Sequence, residues 1–126
     1  MRKIKFRGKT QEGTWVFGHL TKFEYPDNEE KNPLCFIWVQ SEDMNTISKI
    51  QVDHNTVGQF TGLVDRNGVE MYDGDEFTTI WKSKENTVQE GVVYWNYLKG
   101  SWDAKNATFP SRSRRTTQVI GNIHEQ

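Results

Sequence analysis

A mostly-β fold of short antiparallel strands, arranged as a small barrel or sandwich, is what this sequence predicts. Three observations lead there. Apolar and polar residues alternate in several short segments, the period-two signature of half-buried strands. Clusters of Gly, Pro, Asn and Asp punctuate those segments. Helical periodicity is hard to find, and the five Trp, seven Phe and four Tyr, with abundant Thr and Val, favour strands. At 126 residues, 34% hydrophobic and 13% aromatic, the core is expected to rest on a few large rings, each burying a large area.

Ile4 and Phe6 alternate with Lys3, Lys5 and Arg7 and predict the first strand. Gly8–Gly13 is polar and glycine-bounded, a hairpin turn, and Thr14–Leu20, with Trp15 and Phe17 alternating, is the second strand. Tyr25–Pro33 carries two prolines, two asparagines and four charged residues and reads as an exposed, insertion-tolerant loop. Leu34–Val39 has strand length, Ser41–Asn45 is a polar turn, and Ile47–Val52 fits either a strand or a short helical turn.

Val57–Phe77 is rich in turns. Asp65-Arg66-Asn67-Gly68 predicts a two-residue hairpin, with Asn-Gly supplying positive φ values. Gly74-Asp75 is a second turn and opens a strand over Glu76–Trp81. Lys84–Asn86 is a further turn. Val88–Trp95 and Leu98–Trp102 are the next strands, joined near Asn96, and Asp103–Thr116 is irregular. Gln118–His124 is the last strand, with Val119, Gly121 and Ile123 on one face.

Lys plus Arg number 16 and Asp plus Glu 17, a net charge of −1, which gives no global attraction to nucleic acid or anionic membrane. The single cysteine, Cys35, excludes an internal disulfide and cannot build a thiolate metal site by itself. Met1-Arg2-Lys3 is followed by no apolar run, so no signal peptide is predicted, and no stretch has the apolar length of a membrane helix. A cytoplasmic location in a reducing compartment is the expectation.

Three segments carry a family resemblance. They are Ile4-Lys5-Phe6-Arg7, the run Val57-Gly58-Gln59-Phe60-Thr61-Gly62-Leu63 through Asp65-x-Asn67-Gly68 to Tyr72-x-Gly74-Asp75, and Val119-Ile120-Gly121-Asn122-Ile123-His124-Glu125. In order and spacing they resemble the YopX family of phage and prophage proteins. Leu20–Val52 matches weakly and looks like an insert particular to this chain. The resemblance implies a phage context, the cytoplasm of a bacterial host and a mostly-β fold. It brings no established activity and no catalytic residues. Tyr-x-Gly-Asp followed by an apolar strand and Gly91-Val92-Val93 also resembles the strand order of SH3-like barrels. The expected organisation is one YopX-like domain over 1–126. It is divisible into an N-terminal β lobe over 1–56 with a variable insert and an SH3-like β-barrel lobe over 57–126.

No residue set reaches a catalytic, cofactor or metal signature. In Asp65–Glu70 the glycine falls fourth, which breaks the spacing of a calcium loop. Asp73 and Asp75 pair their carboxylates, but a tight turn capped by aspartate explains them better than acid/base chemistry. His19, His54 and His124 are scattered and lack ligand spacing. A small hydrolase would need Asp73, Asp75 and His54 to converge in one cleft.

Lys3, Lys5 and Arg7 alternate onto one strand face and could contact phosphates. A charged edge strand that resists edge-to-edge pairing is the preferred account of them. Arg112, Arg114 and Arg115 form an arginine arm in a Ser/Thr-rich segment, with Trp81, Trp95 and Trp102 as a conceivable stacking platform nearby. The expected function is a non-enzymatic phage accessory protein without cofactors. It acts through contacts with a phage or host protein and with itself as a homo-oligomer. A nucleic-acid-binding module using the basic strand and the arginine arm is the alternative.

Overall fold

The computed structural model describes residues 4–26, 31–81, 87–109 and 116–125. Among them the chain is strand and turn, with no α-helix. It divides into two compact units, Met1–Gln59 and Phe60–Gln126.

The first unit is an antiparallel sheet of β1 (Phe6–Lys9), β2 (Trp15–Phe23), β3 (Leu34–Gln40) and β4 (Ile47–Val52), in spatial order β4-β3-β2-β1. The start of β5 (Gly58–Val64) adds to the far side of β1, through Phe6 opposite Gln59 and Arg7 opposite Gly58. At those two residues β1 is therefore an internal strand, which corrects the expectation of a charged edge. Ile47–Val52 resolves as a strand, paired with β3 from Cys35↔Val52 to Gln40↔Ile47.

Period-two alternation sends one set of side chains inward. Cys35, Ile37 and Val52 are buried, and Phe6, Val16, Leu20, Val39 and Val57 pack against them. At Gly18 a Cβ would overlap the Trp38 carbonyl oxygen, so only glycine lets β2 and β3 approach so closely. A 3-10 turn at His54–Thr56 follows β4. Asp53 caps it by accepting from the Asn55 N–H, and the Thr56 hydroxyl accepts from the Lys9 N–H at 2.9 Å.

In the second unit the rest of β5 pairs with β6 (Glu70–Tyr72). A separate four-stranded antiparallel sheet has the order β10-β7-β8-β9, from β7 (Asp75–Trp81), β8 (Thr87–Asn96), β9 (Ser101–Lys105) and β10 (Thr117–Asn122). Its core is Met71, Phe77 and Val93, with Leu63, Trp102, Ala104 and Val119 packed around them. The described strands form open sheets, so a closed barrel is not what these residues make.

Four local expectations are corrected. The Asp65–Gly68 connection is not a two-residue hairpin. Gly68 alone takes a positive φ there, at 81°, and the turn closes through Asp65 N–H to Val69 O. Leu98 lies at a turn tip and is fully exposed, because the Asn96 side chain accepts from the Leu98 and Lys99 N–H groups and ends β8. Strand β9 continues to Lys105, so Asp103–Lys105 is regular. In β10 the register shifts between Val119 and Gly121. Val119 pairs with Phe77 and Gly121 with Glu76, which puts those two residues on opposite faces.

Candidate functional site

The first unit's sheet has an inner face and an outer face, and the outer one departs from an ordinary solvated surface. Directly opposed residues in antiparallel strands share a face. The pairs Arg7↔Phe17 and Lys9↔Trp15 join β1 to β2, and His19↔Trp38 and Thr21↔Phe36 join β2 to β3. Trp38↔Lys49 and Phe36↔Gln51 then join β3 to β4. Trp15, Phe17, Phe23, Phe36 and Trp38 thus occupy one continuous surface with Arg7, Lys9 and Lys49.

Three of these rings are open to solvent, while Trp15 and Phe36 are half-buried. Phe17 is 45% exposed, Phe23 56% and Trp38 39%. Leu34 and Ile47 extend the apolar character toward the edge strand. The rings are also held. The Trp38 indole N–H donates to the Thr21 hydroxyl at 2.7 Å, and Phe23 meets Phe36 edge-on at 6.1 Å. Ordered exposed rings meet a partner with little loss of side-chain freedom.

Cations are interleaved with the rings. The Lys49 ammonium lies 4.8 Å from the Phe36 ring centre and 5.9 Å from that of Trp38. Arg7 and Lys9 lie over Trp15, at 4.8 and 5.8 Å. Contacts of this kind hold a positive charge near an aromatic face. Strands β1 to β4 contain no Asp or Glu at all, while they contain Arg7, Lys9 and Lys49 on this face and Lys22 on the other, where it pairs with Glu24 at 2.9 Å. Among the described residues, the unit's carboxylates sit in its connections, at Glu12, Glu24, Glu42, Asp43 and Asp53. Asp43 is fixed in the β3–β4 turn. Hydrogen bonds from the Ser41 hydroxyl and then the Asn45 N–H hold its carboxyl below the usual carboxylate range.

Of the residues singled out in the sequence, Arg7 is on this face but buried, and its guanidinium lies against Trp15 instead of protruding. Lys5 is half-buried just before β1. Lys3, Arg112, Arg114 and Arg115 lie outside the described residues. Burial decides between core and stacking platform for two of the three tryptophans, since Trp95 and Trp102 are both half-buried. Trp95 and Trp102 pack edge-on at 5.1 Å, Trp102 against the second core, and the Trp81 side chain is outside what is described. The basic residues of β1 are only one margin of this face. The signal for the rest was legible: every second residue of Trp15–Phe23 and Leu34–Trp38 is aromatic, apolar or uncharged polar, and neither run contains an acid.

Two buried carboxylates of the second unit, Asp65 and Asp75, are engaged in its architecture. Buried Asp75 accepts from the Tyr72 N–H at 2.7 Å. Buried Asp65 accepts from the N–H groups of Asn67, Val69 and Val119. His54 belongs to the first unit, its Nδ1 3.6 Å from the Asp53 carboxylate. A depression of about 500 Å³ opens in the first unit, lined by Thr10, Gln11, Glu12, Ile50, Gln51, Val52 and Asp53. No three His, Cys, Asp or Glu side chains among the described residues are placed to hold a metal ion. No helix among them is long and apolar enough to cross a membrane.

A model of the family described as YopX protein matches residues 5–126. The crystal structure of protein EF1440 from Enterococcus faecalis matches the fold with a TM-score of 0.55 at 22% identity, covering 98% of this chain and 95% of that one. No curated protein matches the chain.

Proposed function

The chain belongs to the YopX family, and on that premise we propose that it is a non-enzymatic accessory protein of phage or prophage origin that works by binding. Its working surface is the outer face of β1 to β4. One observation carries this reading: exposed rings at Phe17, Phe23 and Trp38, the last two held by Phe36 and Thr21, stand on a sheet whose strands hold cations and no acids. A sheet face with no role beyond solvation would show a polar outer set, alternating with the buried one. The non-enzymatic part is supported by the use of Asp65 and Asp75 as acceptors for backbone N–H groups.

Self-association is a second reading. It is favoured by β4, the last strand of its sheet in the order given above, which carries the exposed Ile47. An edge strand with an apolar outward residue can pair with a second copy.

The binding reading is tested in cells by placing the photo-crosslinker benzoylphenylalanine at Phe23, with Val69 of the second unit as the comparison site. Irradiation is expected to shift the protein to heavier adducts from position 23 and not from 69. Absence of any adduct at 23 would remove the outer face as the working surface.

A further inference from the structure

We infer that the outer face of β1 to β4 takes single-stranded nucleic acid, with bases stacked on its exposed rings and phosphates against its cations. The inference rests on the reading of that face as the working surface, and it commits to the occupant.

Phe17 and Phe23 are six residues apart on β2, about 20 Å at a strand's rise, with Trp38 on the neighbouring strand between them. That spacing offers separate stacking stations to successive bases. Every base has a π-face, so such stations need no sequence match. The rings are pre-set, since the Trp38 indole is pinned to Thr21 and Phe23 rests edge-on against Phe36.

Charge decides between occupants. Lys9 and Lys49 flank the rings at opposite sides of the sheet, and no carboxylate lies in the four strands. In a two-fold contact the same patch faces itself, so a second copy laid face to face would bring cations toward cations, a juxtaposition that opposes association. Lysine is also depleted at the centres of protein interfaces. A polyanion with flat apolar groups satisfies both features. Duplex is the weaker fit, because its bases are stacked inside and its grooves are read by an inserted helix or ribbon, whereas this surface is a sheet face. The chain's net charge of −1 adds no global attraction, so binding depends on the local face and should be sensitive to salt.

The test uses the purified full chain and fluorescein-labelled oligothymidylate and oligouridylate of about 20 nucleotides, with a duplex of equal length, followed by anisotropy from about 50 mM salt upward. Single strands are expected to bind at least tenfold more tightly than duplex. The logarithm of affinity should fall with that of salt with a slope of about −1.4, from about two phosphate contacts, at Lys9 and Lys49. Phe23→Ser and Trp38→Ser are expected to weaken binding about tenfold each, and Lys49→Glu to weaken it most at low salt. Circular dichroism and thermal melts confirm folding, and Phe23→Ser, at the end of β2, keeps the test valid if Trp38→Ser unfolds.

No binding of single strands at low salt, equal binding of duplex, or affinities unmoved by Phe23→Ser and Lys49→Glu would each overturn the inference. So would light scattering that shows an oligomer dissolved by Phe23→Ser, because a second copy would then hold the face. That last result leaves the working-surface reading standing, whereas a missing crosslink at Phe23 removes the reading itself.

Discussion

The Asp65 carboxylate accepts a hydrogen bond from the Val119 N–H at 2.9 Å, across 54 residues of chain. Its other oxygen accepts from the N–H groups of Asn67 and Val69, at 2.8 and 2.9 Å, and the Arg66 N–H donates to the Thr117 carbonyl at 3.0 Å. Two of the segments that carry the resemblance in the sequence, Val57–Asp75 and Val119–Glu125, are thereby joined. The joint is repeated nearby, where the Ile123 N–H donates to the Gly74 carbonyl and the Gly74 N–H to that of Val93. In this chain these segments hold a set of backbone connections.

Asp65→Ala removes an acceptor from three N–H groups, one of them in β10. Hydrogen bonds to a charged acceptor contribute about 1.5–3 kcal/mol each, and water recovers part of the loss at the exposed turn. The expected destabilisation is about 3 kcal/mol, with roughly half of that for Asp65→Asn, which keeps one acceptor oxygen. Urea denaturation measures both. A loss below about 1 kcal/mol for the alanine variant would mean that the carboxylate does not anchor the turn.

Gly18→Ala and Gly68→Ala separate two uses of glycine. At Gly18 the added methyl meets the Trp38 backbone carbonyl, which cannot swing aside as a side chain could. Overpacking of this kind costs about 3 kcal/mol or more. At Gly68, with φ at 81° and no atom within 4 Å, the cost is conformational alone, about 1 kcal/mol. Equal losses in thermal or urea unfolding would contradict the close approach of β2 and β3.

The fold class was legible because period-two alternation and turn chemistry are local. Leu34–Val39 came out as strand for that reason, as did Phe6 and Arg7 of Ile4–Arg7, while the turn expected at Gly74-Asp75 falls on Asp73-Gly74 and Asp75 already opens β7. What the sequence did not show depends on partners distant in the chain. Strand β1 is internal at Phe6 and Arg7 only because Gly58 and Gln59 join it from fifty residues away. The Asn67-Gly68 pair suggested a two-residue hairpin, but the Asp65 carboxylate stabilises a longer turn instead. The site was half legible. The cations of β1 were noticed, yet the rings beside them come from β2 and β3, and only the registers of those strands set Phe17 opposite Arg7 and Trp38 opposite Lys49.

Cys35 is buried at 2% exposure, paired across the sheet with Lys22 and Val52. Burial pushes its thiol above the ordinary value, and Lys22 only partly opposes this. Thiolate is the reactive form, so maleimide or disulfide reagents at neutral pH are expected to modify Cys35 at the rate of unfolding, and at once in denaturant. The sign on stability follows. A thiol whose folded value is raised is neutral in both states below the unfolded value near 9.0, and stability falls as pH rises beyond it. Rapid modification of the native protein would show that the core around Ile37 and Val52 opens on its own.

Asp103 and Asn96 form the last coupled pair. The Ala104 N–H, at 2.8 Å, and then the Asn96 side-chain amide, at 3.1 Å, donate to the Asp103 carboxylate and hold its titration below the ordinary value of 3.8. The amide's own oxygen accepts from the Leu98 and Lys99 N–H groups, so one side chain both ends β8 and ties it to β9. Asn96→Ala is expected to cost about 1 kcal/mol at neutral pH and to move the Asp103 titration up toward its ordinary value. A carboxylate lowered on folding contributes stability above its unfolded value, lost as pH falls through the folded one. The gap between Asn96→Ala and the native chain should therefore narrow in acid. Carboxyl titration by NMR, with denaturation at neutral and acid pH, reads both effects. An Asp103 titration that does not move in Asn96→Ala would assign the lowering to the Ala104 N–H and to Lys99, 3.7 Å away, and leave Asn96 as a turn cap.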